Sequence, residues 1–390
     1  MSAAANRPVD SRLASIDMLR GLVIVIMALD HVRDMVTVPL PGLVDFSQAP
    51  PALFFTRFIT HLCAPTFIFL AGTSAFLYGA GKRTRAEVAR FLLIRGLWLV
   101  FIEITVVNLA WNFNLGGQFT LMLQVIWAIG ISMIALAALL WLPRVPLAIL
   151  SIAMIAGHNL LDGIQPSPAE ASLLWMFLHI QAPIMSGDRM IAIIGYPVIP
   201  WIGVMALGYC AGPVFRGSDP GRPRRLILAG FAVAAAFVLV RLTGVYGDPD
   251  GWQAQDSLLR TVIDFLNTTK YPPSLLYLLM TLGPAAILLG LFETWRGRVA
   301  DALVLIGRVP FFFYVAHLYV IHALGIAVGL WQGFPVEKIA VIFFWLPEGF
   351  GVSLGFVYLF WAAVVLALYP ACRWFAGVKA RRRDWWLSYL

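Results

Sequence analysis

The sequence predicts an all-α, polytopic integral membrane protein, and three observations support that prediction. Of the 390 residues, 61% are hydrophobic and only 12% are charged, a composition too apolar for an ordinary soluble domain. Apolar runs of about 20 residues, the length that crosses roughly 30 Å of hydrocarbon, recur between polar breaks. Lys and Arg gather in alternate loops between these runs, as they do in the cytoplasmic loops of membrane proteins.

Ten apolar runs can be marked in chain order, and together they form a single predicted domain over residues 1–390. The runs lie near residues 17–37, 54–80, 89–109, 120–142, 145–161, 192–215, 224–244, 271–291, 302–328 and 350–372. The fifth run is the shortest, and the aromatic stretch 343–345 can also be interpreted as an extra re-entrant or interfacial segment. The prediction is therefore about ten transmembrane helices. Either ambiguity would change whether the number of spans is even or odd.

The distribution of basic residues predicts how these helices are oriented. Bases gather at both termini and in the loops near 81–95 and 216–225, whereas the loops near 38–53, 162–191 and 245–270 carry mostly acids. Because cytoplasmic loops are enriched in Lys and Arg, both termini are predicted to be cytoplasmic. The same bias accounts for most of the net charge of +8, so the predicted partner is a lipid bilayer and not a nucleic acid.

The three cysteines, Cys63, Cys210 and Cys372, are scattered through apolar sequence. No CxxC pair and no Cys/His spacing typical of a zinc site accompanies them. They are predicted to be small buried hydrophobic residues, and neither a disulfide framework nor a bound metal is expected.

The first apolar run carries charged side chains at membrane depth, where a charge is energetically costly. An Asp or Arg at the centre of a bilayer costs roughly 2.5–3.5 kcal/mol on insertion scales, so Asp30, His31, Arg33 and Asp34 point to a function. His31 and Asp34 share a helix face at i, i+3, which predicts that the carboxylate orients the imidazole as a general base. Asp30 lies on another face and is predicted to pair with Arg33.

All six histidines fall on the predicted extracytoplasmic side, namely His31, His61, His158, His179, His317 and His322. A single histidine in a membrane helix is more often a hydrogen-bonding residue between helices than a catalyst. Six on one side weaken that interpretation without removing it.

His61 lies in the second run, one turn before Pro65. The proline removes an amide donor, so the backbone carbonyl of residue 61 is predicted to be free for another partner. Broken helices of this kind can line a polar cavity at membrane depth. The small residues at 71–75 predict close packing against another helix.

Three further stretches carry polar groups in apolar surroundings. Trp201 follows two prolines at the start of the sixth run, and Lys270 precedes the eighth; for both, an interfacial anchor is as good an interpretation as a binding residue. In the ninth run, Pro310 interrupts a helix in which Tyr314 and His317 lie one turn apart, which favours a site.

Several of these stretches carry a family resemblance. Residues 12–34, 61–72 and 90–96, the last leading to Val106-Val107-Asn108, resemble the heparan-alpha-glucosaminide N-acetyltransferase family and its bacterial relatives. The similarity continues through residues 196–203, 270–277 and 307–317, as in those bacterial relatives. The resemblance implies a transmembrane acyltransferase domain that moves an acetyl group from cytosolic acetyl-CoA to a sugar or glycan on the far side. It also implies residence in a membrane, in a bacterium the inner (cytoplasmic) membrane.

The catalytic histidine cannot be carried over from the family by position. In the eukaryotic enzyme it lies in the loop between the first two spans, and this chain has no histidine between His31 and His61. The sequence therefore predicts His31 and His61 as catalytic residues, with Asp34 orienting His31. Direct transfer and an acetyl-histidine intermediate both remain open.

Further residues are predicted to bind the two substrates. The predicted acceptor or thioester contacts are Asp30, Arg33, Asn108, Trp201, Lys270, Tyr314 and His317. The predicted phosphate contacts of acetyl-CoA are Arg85, Arg90 and Arg95, since Arg favours bidentate phosphate contacts. Positive-inside bias is the alternative explanation for these three.

Two other functions compete with acetyl transfer. Intramembrane Asp and His residues also serve proton relays, so a proton-coupled transporter of a small anionic or lipid-linked solute is the alternative. Haem held by paired histidines is weaker, because only His317 and His322 form a pair on one helix.

Overall fold

The computed structural model describes residues 13–37, 49–81, 83–113, 119–164, 166, 171–382, 384 and 387. The fold is 72% helical and the helices are apolar enough for a bilayer, which confirms the predicted helical membrane class. The helices in the described part of the chain are α1 Ala14–Val36, α2 Pro51–Thr60, α3 Cys63–Gly79, α4 Arg85–Ile102, α5 Asn108–Asn112, α6 Val125–Leu139, α7 Arg144–Gly157, α8 Leu173–Leu178, α9 Ile199–Ala211, α10 Arg222–Thr243, α11 Leu258–Leu266, α12 Leu275–Phe292, α13 Arg298–Gly307, α14 Pro310–Trp331, α15 Val336–Ile339 and α16 Leu354–Arg381.

Seven helical segments of the described chain are long and apolar enough to cross a membrane. They are Pro51–Gly79, Arg85–Asn112, Arg144–Leu161, Arg222–Thr243, Leu275–Phe292, Pro310–Trp331 and Leu354–Arg381. Val125–Leu139 and Ile199–Phe215 are apolar but shorter. α1 has 23 residues, yet it carries five charged side chains, at positions 17, 20, 30, 33 and 34. The total of about ten spans and the cytoplasmic termini remain predictions.

The structure contains a small sheet that the all-α prediction did not include. Strands β1 Leu121–Leu123, β2 Ala182–Ser186 and β3 Arg189–Ile194 form it in the order β1-β3-β2, with β1 parallel and β2 antiparallel to β3. The predicted runs 120–142 and 192–215 therefore begin too early, because their first residues are strands. A short apolar run cannot be assigned to helix or strand from its pattern alone.

Two of the predicted runs are interrupted, and in each a proline marks the place. The run 302–328 divides into α13 and α14, with Pro310 as the first residue of α14, where its missing amide costs nothing. The run 54–80 divides into α2 and α3 around His61. The Tyr277 hydroxyl donates a hydrogen bond of 3.0 Å to the carbonyl of His61, which confirms that this carbonyl is free for an outside partner.

α1 lies at the centre of the bundle. Residues on all of its turns are fully buried, and α1 contacts α2, α3, α12, α13, α14 and α16. The approach to α13 is the closest, since Gly21 lies against the backbone of Leu303 and Gly307 lies against the backbone of Asp17. The charged half of α1 is therefore held inside the protein and not in lipid.

The small residues at 71–75 pack as predicted. A Cβ on Gly72 would overlap the carbonyl oxygen of Met205 on α9, and one on Gly208 would overlap that of Phe69 on α3. The Thr73 hydroxyl donates a hydrogen bond of 3.0 Å to the carbonyl of Gly208. Such close backbone contact between small residues is a common way to join helices where lipid removes the hydrophobic driving force.

We expect Gly72→Ala to destabilise the protein by about 1–3 kcal/mol, because the added methyl group must push α3 away from α9. The matched control is Gly157→Ala, whose Cβ would meet nothing within 4 Å. Thermal unfolding in detergent measures both variants. A Gly72→Ala protein that unfolds at the same temperature as the Gly157→Ala protein would contradict the close contact.

Candidate functional site

Two cavities lie along α1, one around each half of the helix. The outer cavity, of about 540 Å³, surrounds the second half, where the predicted extracytoplasmic residues gather. The inner cavity, of about 330 Å³, surrounds the first half, near the predicted cytoplasmic end. Met27 and Val125 line both cavities, so the two are neighbours that share part of one wall. Both volumes are within the range of small-molecule sites.

A pair of histidines connects residues of the two cavities: His31 lines the outer one, and His317 lines neither but contacts Tyr314 of the inner one. The His31 Nδ1 and His317 Nε2 atoms are 2.7 Å apart, and the two rings are nearly parallel with centroids separated by 5.0 Å. His31 lines the outer cavity, and its ring contacts Tyr314, which lines the inner one, at a centroid distance of 6.1 Å. The pair is too close to hold a haem iron between its nitrogens.

The hydrogen bonds assign the tautomers of this pair. His317 Nδ1 lies 2.9 Å from the carbonyl oxygen of Phe313, which only accepts, so Nδ1 carries the proton. In neutral His317 the Nε2 atom is then an acceptor, and His31 Nδ1 must donate to it. The remaining nitrogen of His31, Nε2, is left with a lone pair. A neutral imidazole held in this way can act as a base or as a nucleophile.

The predicted contact between Asp34 and His31 is replaced by two others. His31 turns to His317, and the Asp34 carboxylate accepts a hydrogen bond of 2.7 Å from Arg33. The reason is physical: a guanidinium is a stronger, charged donor than a neutral imidazole. Arg33 also contacts Asp30 at 2.7 Å, which confirms the predicted Asp30–Arg33 pair.

The outer cavity carries a mixed network of buried charges around Asp30. Besides Arg33, the Asp30 carboxylate accepts a hydrogen bond of 2.9 Å from the Thr60 hydroxyl and lies 3.7 Å from the Lys270 ammonium. Arg57 also lines this cavity. Burial lowers the pKa of Lys270, but Tyr271 and Asp30 outweigh it and raise that pKa above its usual value. Lys270 is therefore a charged group at the wall of the cavity, and its role in binding stays a prediction.

Four basic side chains line the inner cavity, namely Arg20, Arg95, Arg308 and Lys379. They come from α1, α4, the break before α14 and α16, so distant parts of the chain supply them. Arg20 donates a hydrogen bond of 3.3 Å to the carbonyl of Leu70 and another to the Ser74 hydroxyl. The remaining lining is mostly apolar and aromatic.

Only one of the three predicted phosphate contacts lies in this cavity. Arg95 lines it, whereas Arg85 and Arg90 are exposed and are not among its lining residues. The Arg85 guanidinium instead donates a hydrogen bond of 3.4 Å to the carbonyl of Trp141. Arg90 and Arg95 are five residues apart on α4 and therefore point to different sides of that helix. The sequence alone does not show which side faces the cavity.

Besides His317, three other predicted site residues are absent from the described linings of the two cavities. Asn108 is fully buried and bonds the backbone of β1, donating to the Met122 carbonyl at 2.9 Å and accepting from the Met122 amide at 2.6 Å. Trp201 is buried against Tyr196. The His61 ring is buried beside Tyr277, and neither ring nitrogen has a hydrogen-bond partner among the described residues.

Glu103 is a buried acid that the sequence reasoning missed. It begins a π-helical segment, Glu103–Val107, between α4 and α5, and such segments frequently occur at functional sites. Its Oε1 atom accepts a hydrogen bond of 2.9 Å from the Gln124 amide, while Oε2 has no partner among the described residues. The feature of the sequence that could have indicated Glu103 is its position as an acid inside the apolar run 89–109.

Comparison with known protein families assigns the chain to one of them. The family model described as heparan-alpha-glucosaminide N-acetyltransferase, catalytic, matches residues 12–242, which is more than half of the chain. The chain belongs to this family. The match includes His31, Asp30 and Arg95, while Lys270, Tyr314 and His317 lie beyond it. No curated protein matches the chain. Membership and the apolar helices together make this a membrane protein of an acetyltransferase family.

Proposed function

We propose that this protein transfers an acetyl group from cytosolic acetyl-CoA, bound in the inner cavity, to a sugar or glycan acceptor in the outer cavity. The observation that carries the proposal is the hydrogen-bonded His31–His317 pair, because His31 lines the outer cavity and its ring contacts Tyr314, which lines the inner one. A transferase that works across a membrane needs a reactive group reachable from both sides. Its proposed location is the inner membrane of a bacterium.

The inner cavity suits an acyl-CoA donor in shape and in charge. Its four basic residues attract the phosphates, for which Arg in particular offers bidentate hydrogen bonds. The mostly apolar lining beyond them suits the pantetheine arm. Tyr314 lines this cavity and its ring contacts that of His31, so a thioester carried on the arm beside Tyr314 would be next to the imidazole.

The chemistry is assigned to the Nε2 lone pair of His31. In one route Nε2 takes a proton from the acceptor hydroxyl or amine, which attacks the thioester carbonyl as the CoA thiolate leaves. In the other, Nε2 attacks the thioester carbonyl and the CoA thiolate leaves; the acceptor hydroxyl or amine then takes the acetyl group from Nε2, and the proton that it loses goes to the thiolate. In both routes His31 becomes cationic, and its Nδ1–H bond to His317 stabilises that charge.

The outer cavity suits a polar acceptor rich in hydroxyl groups. Asp30 and Asp34 offer acceptor oxygens, and Arg33 and Lys270 offer donors, within one cavity of about 540 Å³. Aromatic side chains, including Tyr196, contribute further walls. This alternation of polar groups and aromatic faces is typical of sites that orient a small polar ligand.

The same buried charges also support the competing function, a proton-coupled transporter. Purified protein in lipid, given labelled acetyl-CoA with a panel of amino sugars and cell-wall glycans, distinguishes the two. We expect label to leave CoA only when a suitable acceptor is present. If no acceptor takes up label while a solute gradient is dissipated, the protein is a carrier and the proposal is wrong.

A further inference from the structure

A second group of polar side chains lies outside the proposed site, at the end of α7. His158 begins a short 3-10 helix, His158–Leu161, Asp162 follows that helix, and His179 comes directly after α8. One nitrogen or oxygen from each side chain falls within 4.8 Å of the other two. The His179 Nε2 and Asp162 Oδ1 atoms are 3.2 Å apart. Nothing in the proposed acetyl transfer uses these residues.

The two histidines are buried without adequate partners. His158 is 2% exposed and His179 is 1% exposed. None of their four ring nitrogens makes a hydrogen bond of good geometry to a described residue; His179 lies 3.2 Å from the Asp162 carboxylate, and His158 has a looser contact with the backbone of Pro273. Buried polar groups are nearly always satisfied, so these nitrogens point to a missing ligand.

We propose that His158, Asp162 and His179 bind one divalent cation of the zinc type. Two imidazole nitrogens and one carboxylate oxygen form the set that Zn²⁺ accepts, with water in a fourth position. Ligands about 2.0–2.1 Å from a tetrahedral ion lie roughly 3.3 Å from one another. His179 and Asp162 already have about that separation, and a donor atom of His158 lies within 4.8 Å of both.

The surroundings support the ligands in the way that metal sites require. The Asn159 amide donates a hydrogen bond of 2.7 Å to the other Asp162 oxygen, Oδ2, which holds the carboxylate in place. The side-chain oxygen of Asn159, Oδ1, accepts a hydrogen bond of 2.9 Å from the backbone amide of Leu275 at the start of α12. The site is thereby connected to the segment that carries Lys270.

A cation here would fasten two walls of the outer cavity. His179 is two residues from Gln181, and the Asn159–Leu275 contact is close to Lys270, and both Gln181 and Lys270 line that cavity. The ion would join the end of α7 to the segment after α8 and so order the mouth of the cavity. No metal was predicted from the sequence, because the cysteines show neither a CxxC pair nor a Cys/His spacing typical of zinc.

The test uses the full-length protein in detergent, stripped with a chelator and titrated with Zn²⁺ or Co²⁺ alone. We expect one ion per chain and the visible absorption of tetrahedral Co²⁺. His158→Ala and His179→Ala should each weaken binding on the order of 100-fold, and Asn159→Ala about 10–100-fold, the usual cost of losing a supporting residue. His322→Ala is the matched control, because that buried histidine bonds the Ala110 carbonyl and should leave binding unchanged.

Two results would overturn the proposal. Wild-type protein that binds no Zn²⁺ or Co²⁺ has no such site, whatever the variants do. Variants that are folded by size-exclusion chromatography and bind as tightly as wild type would place the ion elsewhere. If His158→Ala and His179→Ala do not fold, the wild-type stoichiometry and Co²⁺ spectrum decide alone, with six-coordinate Co²⁺ absorption counting against the site.

Discussion

Replacing His31 with alanine is expected to lower the rate of acetyl transfer by 10²–10⁴-fold or more, the usual contribution of a positioned acid or base. The variant loses the His31 Nε2 atom, which the hydrogen bonds of the pair leave with a lone pair at the wall of the outer cavity. Steady-state transfer of labelled acetyl groups measures the effect. The matched control is His322→Ala on the same helix as His317, which should transfer at the wild-type rate. A folded His31→Ala protein with near-normal kcat would contradict the assignment.

His317 is a positioning residue, and its variants should separate positioning from packing. His317→Ala removes the acceptor for the His31 Nδ1–H group, so we expect kcat to fall while KM for both substrates changes little. His317→Gln offers an amide oxygen to the same proton and should recover part of that loss. If the two variants lose equal activity, the role of His317 is structural and the tautomer argument is wrong.

Reversing the charge of Arg95 is expected to raise KM for acetyl-CoA by about 10–100-fold, because one charge-assisted hydrogen bond to phosphate is worth roughly 1.5–3 kcal/mol. KM for the acceptor should not change, since Arg95 lines only the inner cavity. The substitution is Arg95→Glu, and initial rates at varied acetyl-CoA measure it.

Arg90→Glu is the control for this experiment. Arg90 lies on the same helix and carries the same charge, but it is exposed and outside the cavity lining. We expect its KM for acetyl-CoA to stay within about twofold, since surface charges away from a site contribute little. Equal effects of the two substitutions would mean that general surface charge, and not the inner cavity, attracts the donor.

Features set by neighbours in the chain were predictable from the sequence. The Asp30–Arg33 pair follows from helical spacing, and the free carbonyl of His61 follows from the chemistry of Pro65. The small residues beside Gly72 likewise predicted close helix packing. Each of these depends on local geometry that one helix already defines.

Features formed between distant elements were not predictable. His31 and His317 come from α1 and α14, and no spacing rule relates them, so the sequence assigned the orienting role to the nearby Asp34 instead. The inner cavity is formed in the same way, from residues of α1, α4, α14 and α16. The sheet was missed because short apolar segments fit either secondary structure.

The most direct test of the account is transfer across a sealed membrane. Purified protein is placed in proteoliposomes with labelled acetyl-CoA outside only and the acceptor identified from the glycan panel sealed inside. The account predicts that label appears on the enclosed acceptor with wild-type protein and not with His31→Ala. Label that reaches the acceptor only when donor and acceptor share a compartment would contradict it, because the two cavities would then not connect the two sides through His31.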